Sequence, residues 1–186
     1  MAPHAYEGSA ARLVQAHKYG GWRSVAEPMA TAMIEDARRQ VALLASMCSE
    51  MVMTPVPLAA SRLRERGFNQ AQDLSTAVSG RLGVPHAELL ERIPGTGHQA
   101  GSGMRRRRAN VEGRFAVSRA RGVAGDPVTG VLLVDDVLTT GATLLACAAA
   151  LEEAGFRHIA ALTFARTLRT STPTTGPAPR FRRGME

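Results

Sequence analysis

The sequence predicts an α/β fold with a central, mostly parallel sheet flanked by helices. Three observations predict it. Residues 131–136, VLLVDD, form a continuous apolar run ending in two acids, the pattern of a strand buried on both faces of a parallel sheet. A tight turn, TTGAT, then a helical pattern with Leu144, Leu145, Ala148 and Leu151, then a second apolar run, HIAALTF at 158–164, complete the order of a βαβ unit. The chain has 186 residues, about one domain at roughly 150 residues each, and a chain of that size buries about 70% of its unfolded surface.

From the N-terminus, residues 1–27 are mixed in character, with Leu13, Val14 and Trp22 as the large apolar anchors. Pro28 opens a helix, because proline suits the first helical turn. Met29, Met33, Ala37, Val41 and Leu44 recur at spacings of three and four and so share one face. MVMTPV, residues 51–56, is short, apolar and followed by prolines, which favours a strand. PLAASRLRERGFNQA, residues 57–71, holds Arg62, Arg64 and Arg66, then Gly67. A helix with Ala71, Leu74 and Val78 follows, stopped by Gly83 and Pro85. Residues 86–92 offer a short strand, and Phe115 with Val117 an edge strand or hairpin.

Between these lies PGTGHQAGSGMRRRRAN, residues 94–110, glycine-rich and aperiodic, which reads as a mobile loop. The end, residues 170–186, has three prolines and no periodic apolar face, and is expected to be a disordered basic tail. The expected division is an N-terminal region at 1–50, a core at 51–169 and the tail at 170–186.

Composition excludes several classes. Two cysteines, Cys48 and Cys147, support neither a disulfide framework nor a four-cysteine zinc site. No apolar run approaches the ~20 residues that span a bilayer, and no basic stretch followed by an apolar one marks a signal peptide. A protein without membrane insertion, in the cytoplasm, is expected. Lys+Arg 23 against Asp+Glu 16 gives a formal net charge of +7, and Lys18 is the single lysine. Arginine grips phosphate through a planar fork, which suits a phosphate-rich partner. The bland alternative is coding bias. Aromatic residues are 4% of the chain, too few for an extended base-stacking surface.

The strongest chemical signal is VLLVDDVLTTGAT, Val131 to Thr143. A parallel strand carries its acids to the carboxyl edge of the sheet, where ligands bind. In the turn beyond, backbone N–H groups and the next helix's dipole converge on an anion, with hydroxyls from Thr139, Thr140 and Thr143. Carboxylates beside a phosphate repel it unless something neutral intervenes. A ribose does this: its hydroxyls donate to the acids while its 5′-phosphate fills the turn. The alternative is a buried strand whose acids cap the helix. Competing motifs fail, since no Gly-Lys-Ser/Thr occurs and GTGHQAG at 95–101 misses the dinucleotide spacing.

All thirteen positions of this segment resemble the phosphoribosyl pyrophosphate (PRPP) motif of type I phosphoribosyltransferases. TPVPL at 54–58, RGFNQA at 66–71, Gln99 and RRRRANVEGRF at 105–115 precede it in the order of the ComF family, which the chain resembles from about Leu13 to Arg166. Many of that family carry an N-terminal four-cysteine zinc ribbon, which is lacking here. The resemblance implies a type I phosphoribosyltransferase fold with a small N-terminal hood, and a link to natural competence, that is, DNA uptake.

It further implies a transferase that binds Mg²⁺ and PRPP, or another ribose 5-phosphate nucleotide, and passes the phosphoribosyl group to an acceptor it does not identify, an amine among the open choices. Asp135 and Asp136 would hold the ribose hydroxyls and the Mg²⁺, directly or through water. Val137, Leu138, Thr139, Thr140, Gly141, Ala142 and Thr143 would hold the 5′-phosphate. The resemblance places a pyrophosphate loop at Pro57 to Gly67, with Arg62, Arg64 and Arg66 as the candidates, Arg66 foremost because it belongs to RGFNQ; the alternative is three arginines on a solvated helix face. Arg108 matches the family arginine in a loop that would close over substrate, with Asn110 beside it. Thr139 stands where purine-salvage relatives often carry an aspartate, and a hydroxyl is a poor base near neutral pH. A hypoxanthine-type reaction is therefore disfavoured.

The alternative is a non-catalytic PRPP or nucleotide module acting in DNA uptake. In it Arg105, Arg106 and Arg107 contact single-stranded DNA or uptake proteins. A homo-oligomer stays open. Lys18 and Tyr19 match a family Lys-Tyr pair, for which the sequence supplies no physical role. Cys147, Met29, Met33 and Met47 read as core, and His98 as a solvent histidine.

Overall fold

The computed structural model describes residues 2–93, 115–118 and 129–168. Four parallel strands make the central sheet, in the order β1 (His4–Ala5), β6 (His158–Arg166), β5 (Thr129–Leu138), β2 (Glu50–Pro55). A separate antiparallel pair joins β3 (Leu90–Arg92) to β4 (Phe115–Val117). The helices are α1 (Gly8–Tyr19), α2 (Ala26–Ser46), α3 (Ala60–Arg66), α4 (Gln70–Leu82) and α5 (Ala142–Glu153), with a 3₁₀ turn at Arg23–Val25. The fold is α/β with a parallel central sheet flanked by helices, as the apolar runs predict.

Alternation along β5 divides the core in two. Leu132 and Val134 face Met29, Met33, Ala37, Val41 and Leu44 of α2 and Leu74 and Val78 of α4. Val131 and Leu133 face the other way, onto Ala146, Cys147, Ala150 and Leu151 of α5 and onto Phe156. A strand buried on both faces has no polar side to present, which is why its sequence is a continuous apolar run. The expected face of α2 is the buried one, and Cys147 is fully buried. Residues 1–50 share this core: Val14 of α1 and the α2 face lie in the same cluster as Leu132 and Leu162, and β1 extends the sheet beside β6.

Three expectations are corrected. Residues 60–66, expected within a loop, form helix α3, closed by Gly67 at φ 79°. Trp22, expected as an anchor, is 65% exposed, and Met47, expected in the core, is 56% exposed. Trp22 lies ahead of a 3₁₀ turn with no apolar partner in periodic register, and Met47 follows the last turn of α2. Helix α1 turns Ala10, Leu13, Val14 and His17 inward, and the small alanine and polar histidine weaken the apolar pattern that marks a helix.

Gly130 in β5 has a packing role with a measurable consequence. A Cβ there would lie 2.5 Å from Cys48 Sγ, whose thiol donates to the Leu44 carbonyl at 3.0 Å. Gly130→Ala should therefore destabilise the fold by roughly 1–3 kcal/mol, as overpacking does. Cys48→Ala/Gly130→Ala should recover most of that loss in denaturant unfolding, because without the sulfur the nearest atoms to the new Cβ are Met51 Cγ at 3.3 Å and the residue 48 Cβ at 3.4 Å. Strictly additive costs would refute the clash.

Candidate functional site

β2 and β5 run side by side with Pro55 opposite Val134, so both end at the same sheet edge. Asp135 and Asp136 lie at that edge, one step beyond the end of β2. A cleft of about 170 Å³ opens there, and Lys18, Arg66, Asn69, Gln70, Arg92, Asp135, Asp136 and Thr143 contribute to its lining. Asp135 folds back along the strand, its Oδ1 accepting from the Asp136 backbone N–H at 2.8 Å. Burial, and then the charge of Asp136, push the Asp135 carboxyl up to about 7. Near neutral pH it is poised to ionise when a cation or hydroxyl donors arrive.

The RGFNQ segment builds one wall, and each residue has a distinct task. Gly67 takes the left-handed conformation that ends α3. Asn69 caps α4 by accepting from the Ala71 N–H at 3.1 Å, and donates to the Val56 carbonyl at 3.0 Å. That bond ties the start of α4 to the end of β2. Gln70, buried, accepts from Arg66 Nη1 at 2.9 Å. Arg66 Nη2 donates to the Tyr19 hydroxyl at 3.2 Å, and the guanidinium lies 4.9 Å from that ring. Arg66 Nε is buried and has no partner among the described residues.

α1 supplies the opposing contact. Lys18 Nζ pairs with Asp136 Oδ2 at 2.7 Å, the lysine side chain 20% and the aspartate 9% exposed. The neighbouring residues fix this turn. His17 shares Asp73 of α4 with Arg23: His17 Nε2 is 3.3 Å from Oδ2, Arg23 Nε donates to Oδ2 at 2.9 Å, and Arg23 Nη2 binds Oδ1. Phe68 packs between them, 5.6 Å from the His17 ring and 5.2 Å from the Arg23 guanidinium.

Burial alone would raise the Asp73 carboxyl, but the Arg23 and His17 hydrogen bonds overcome it and hold it below the usual range. A lowered carboxyl stabilises the fold above its unfolded pKa, near 4, and that contribution is lost as pH falls through the folded value. Asp73→Asn should cost roughly 1 kcal/mol at pH 7, a modest figure because Arg23 is exposed. The gap to wild type should close below pH 4 in acid-unfolding curves. A gap that widens on acidification would contradict the assignment.

Beyond Asp136, Thr139 and Thr140 are exposed and Gly141, at φ 77°, starts α5 without a side-chain cap. The first N–H groups of the helix therefore face an open turn, helped only by a 3.4 Å contact from the Ala142 N–H to Thr140 Oγ1. Of the residues expected at the 5′-phosphate, Thr143 lines the cleft, while Val137, Leu138, Thr139, Thr140, Gly141 and Ala142 form the adjoining strand end and turn. Of the three arginines expected at the pyrophosphate, Arg66 lines the cleft and Arg62 and Arg64 lie on the exposed side of α3. Arg105, Arg106, Arg107, Arg108, Gln99, His98 and Asn110 fall outside the described residues, as does the tail.

Sequence reasoning left four contributors unassigned: Lys18, Asn69, Gln70 and Arg92. The last sits on β3 with its guanidinium 5.1 Å from the Phe115 ring. Only RGFNQ and the single lysine carried any signal; nothing in LLERIP marks Arg92. Cys147 is adjacent but chemically quiet, since burial, and then the Asp135 charge, push its thiol up to about 12. Asp135 and Asp136 are the acids that could hold a magnesium ion. Among the described residues no cluster of three or more ligating side chains occurs. A magnesium site commonly takes one or two carboxylates and completes its shell with water and substrate phosphate.

This chain is similar to Competence protein F. That protein, from Haemophilus influenzae, is 36% identical over 106 residues, 56% of this chain and 45% of its own length. The match thus spans a little under half of the curated relative. No protein-family model matches the chain. Among solved structures, glutamine PRPP amidotransferase from B. subtilis, complexed with ADP and GMP, aligns with a TM-score of 0.41 and 17% identity, covering 74% of this chain and 26% of that one. A hypoxanthine phosphoribosyltransferase from Staphylococcus aureus aligns with a TM-score of 0.41 and 14% identity, covering 75% and 64%. Among the described residues no helix is long and apolar enough to cross a membrane.

Proposed function

We propose that the chain binds PRPP with Mg²⁺ at the β2–β5 edge and transfers the phosphoribosyl group to an amine-type acceptor. The observation that carries this reading is that Asp135 and Asp136 of β5, Thr143 of α5 and Arg66 of α3 line one cleft beside the uncapped start of α5. An anion at that turn satisfies orphan N–H groups and meets the helix dipole. A ribose between the turn and the acids separates phosphate from carboxylate and donates its hydroxyls to Asp135 and Asp136. Its C1 diphosphate then lies toward Arg66. Mg²⁺ held by the acids would neutralise charge on the diphosphate.

In the reaction, the acceptor nitrogen's lone pair forms a C1–N bond. The C1–O bond breaks with its electrons leaving on pyrophosphate, and the nitrogen sheds a proton to solvent. Arg66 stabilises the departing anion, the kind of preorganised charge that lowers such barriers most. Thr139 is exposed and takes no part as a base. Calorimetry with Mg²⁺ and PRPP tests the binding, and pyrophosphate release across ammonia, amines and nucleobases tests the transfer. Binding without release under any acceptor would favour the second reading, a PRPP or nucleotide module serving DNA uptake, which the similarity to Competence protein F supports.

A further inference from the structure

We infer that Lys18 is an exchangeable counter-ion that leaves Asp136 to hold the diphosphate of the incoming ligand. The inference rests on the PRPP reading of the cleft. Its starting point is an apparent conflict: Lys18 Nζ already occupies Asp136 Oδ2 at 2.7 Å, the atom a ribose hydroxyl needs. Two adjacent carboxylates, one of them nearly buried, repel each other and lose hydration, a cost that a nearby cation offsets. Lys18 supplies it. An ammonium carries three donors; Asp136 takes one, and the side chain keeps 20% of its surface toward the cleft.

The cleft holds three cations, Lys18, Arg66 and Arg92, against the two acids. Once ribose hydroxyls and a metal satisfy Asp136, Lys18 loses its reason to stay, and the nearest strong acceptor is the diphosphate beside Arg66. A flexible four-carbon stem permits this short swing. The backbone that bears it does not need to move. His17 is held by Asp73, and Tyr19 by Arg66, so α1 keeps its last turn in place on either side of Lys18. A merely structural lysine at a helix end would pin α1 and do nothing more.

The two roles separate by ligand. Titrate wild type, Lys18→Met and Lys18→Arg with pyrophosphate in the presence of Mg²⁺ and saturating ribose 5-phosphate and, separately, with ribose 5-phosphate alone, checking each variant's melting temperature. Lys18→Met should lose ~10-fold or more in pyrophosphate affinity, the weight of one charge-assisted hydrogen bond. It should keep ribose 5-phosphate affinity within about threefold, and Lys18→Arg should retain most pyrophosphate affinity. Equal loss of both ligands, or loss of neither, overturns the inference while leaving the reading of the cleft intact. Should Lys18→Met fail to fold, Asp136→Asn against Lys18→Met/Asp136→Asn isolates the same contact without leaving the Asp136 carboxylate unpaired. The inference expects the ~10-fold loss only in the double variant, and no difference between the two overturns it. Wild type that takes up neither ligand overturns the reading of the cleft and the inference together.

Discussion

Asp135→Ala/Asp136→Ala loses Mg-PRPP binding by ~100-fold or more while melting no lower than wild type. Each acid is assigned a hydroxyl of the ribose, and a hydrogen bond to a charged group contributes about 1.5–3 kcal/mol. Two such bonds amount to roughly 3–6 kcal/mol, or about 10²–10⁴ in affinity. Folding responds differently. In the ligand-free protein the pair is a liability, since burial and the Asp136 charge hold the Asp135 carboxyl near 7. Removing both acids removes that repulsion, and Lys18, one-fifth exposed, finds water instead. Calorimetry and thermal melts on the same preparation therefore move independently. Unchanged PRPP affinity would end the proposed function; a collapsed melt with lost binding would recast the acids as structural.

The architecture was more legible than the site. VLLVDDVLTTGAT declares its strand, turn and helix because a doubly buried strand and a helix start both leave strong local patterns. The β2 edge and the buried face of α2 were readable for the same reason. Helix α1 was less so: its inward face is Ala10, Leu13, Val14 and His17, and Lys18 and Tyr19 add polar contacts at its end. An amphipathic pattern registers weakly where two of four inward residues are a small alanine and a polar histidine. Likewise, Asn69 as a cap and Gln70 as a brace for Arg66 depend on the positions of Val56 and α3. Such side-chain bonds bridge elements at long range and leave no periodicity. Arg92 reaches the cleft only because β3 and β4 pair and present Phe115 beneath it.

Arg66→Lys should weaken Mg-PRPP binding by ~30–100-fold, although the charge is kept. The guanidinium is already oriented by Gln70 Oε1 on Nη1 and the Tyr19 hydroxyl on Nη2, with the ring beneath it. What it leaves undone is Nε, buried and without a partner among the described residues. A buried donor of a charged group left unsatisfied costs more than the bond it would form is worth in water. Such a cost is recovered when an anion binds. Lysine has no equivalent of that fixed fork and would be held by neither Gln70 nor Tyr19 in the same way. Gln70→Ala, which frees one side of the fork but leaves its charge and its contact to the anion, should lose only ~3–10-fold, about 0.5–1.5 kcal/mol of orientation. Arg66 and Lys18 would then bind the same diphosphate, so their substitutions should not add. In a double-mutant cycle on pyrophosphate affinity, Lys18→Met and Arg66→Lys should couple by at least about 0.5 kcal/mol. Additivity would place the two cations on different ligands, and with that the shared anion site at the mouth of the cleft would be lost.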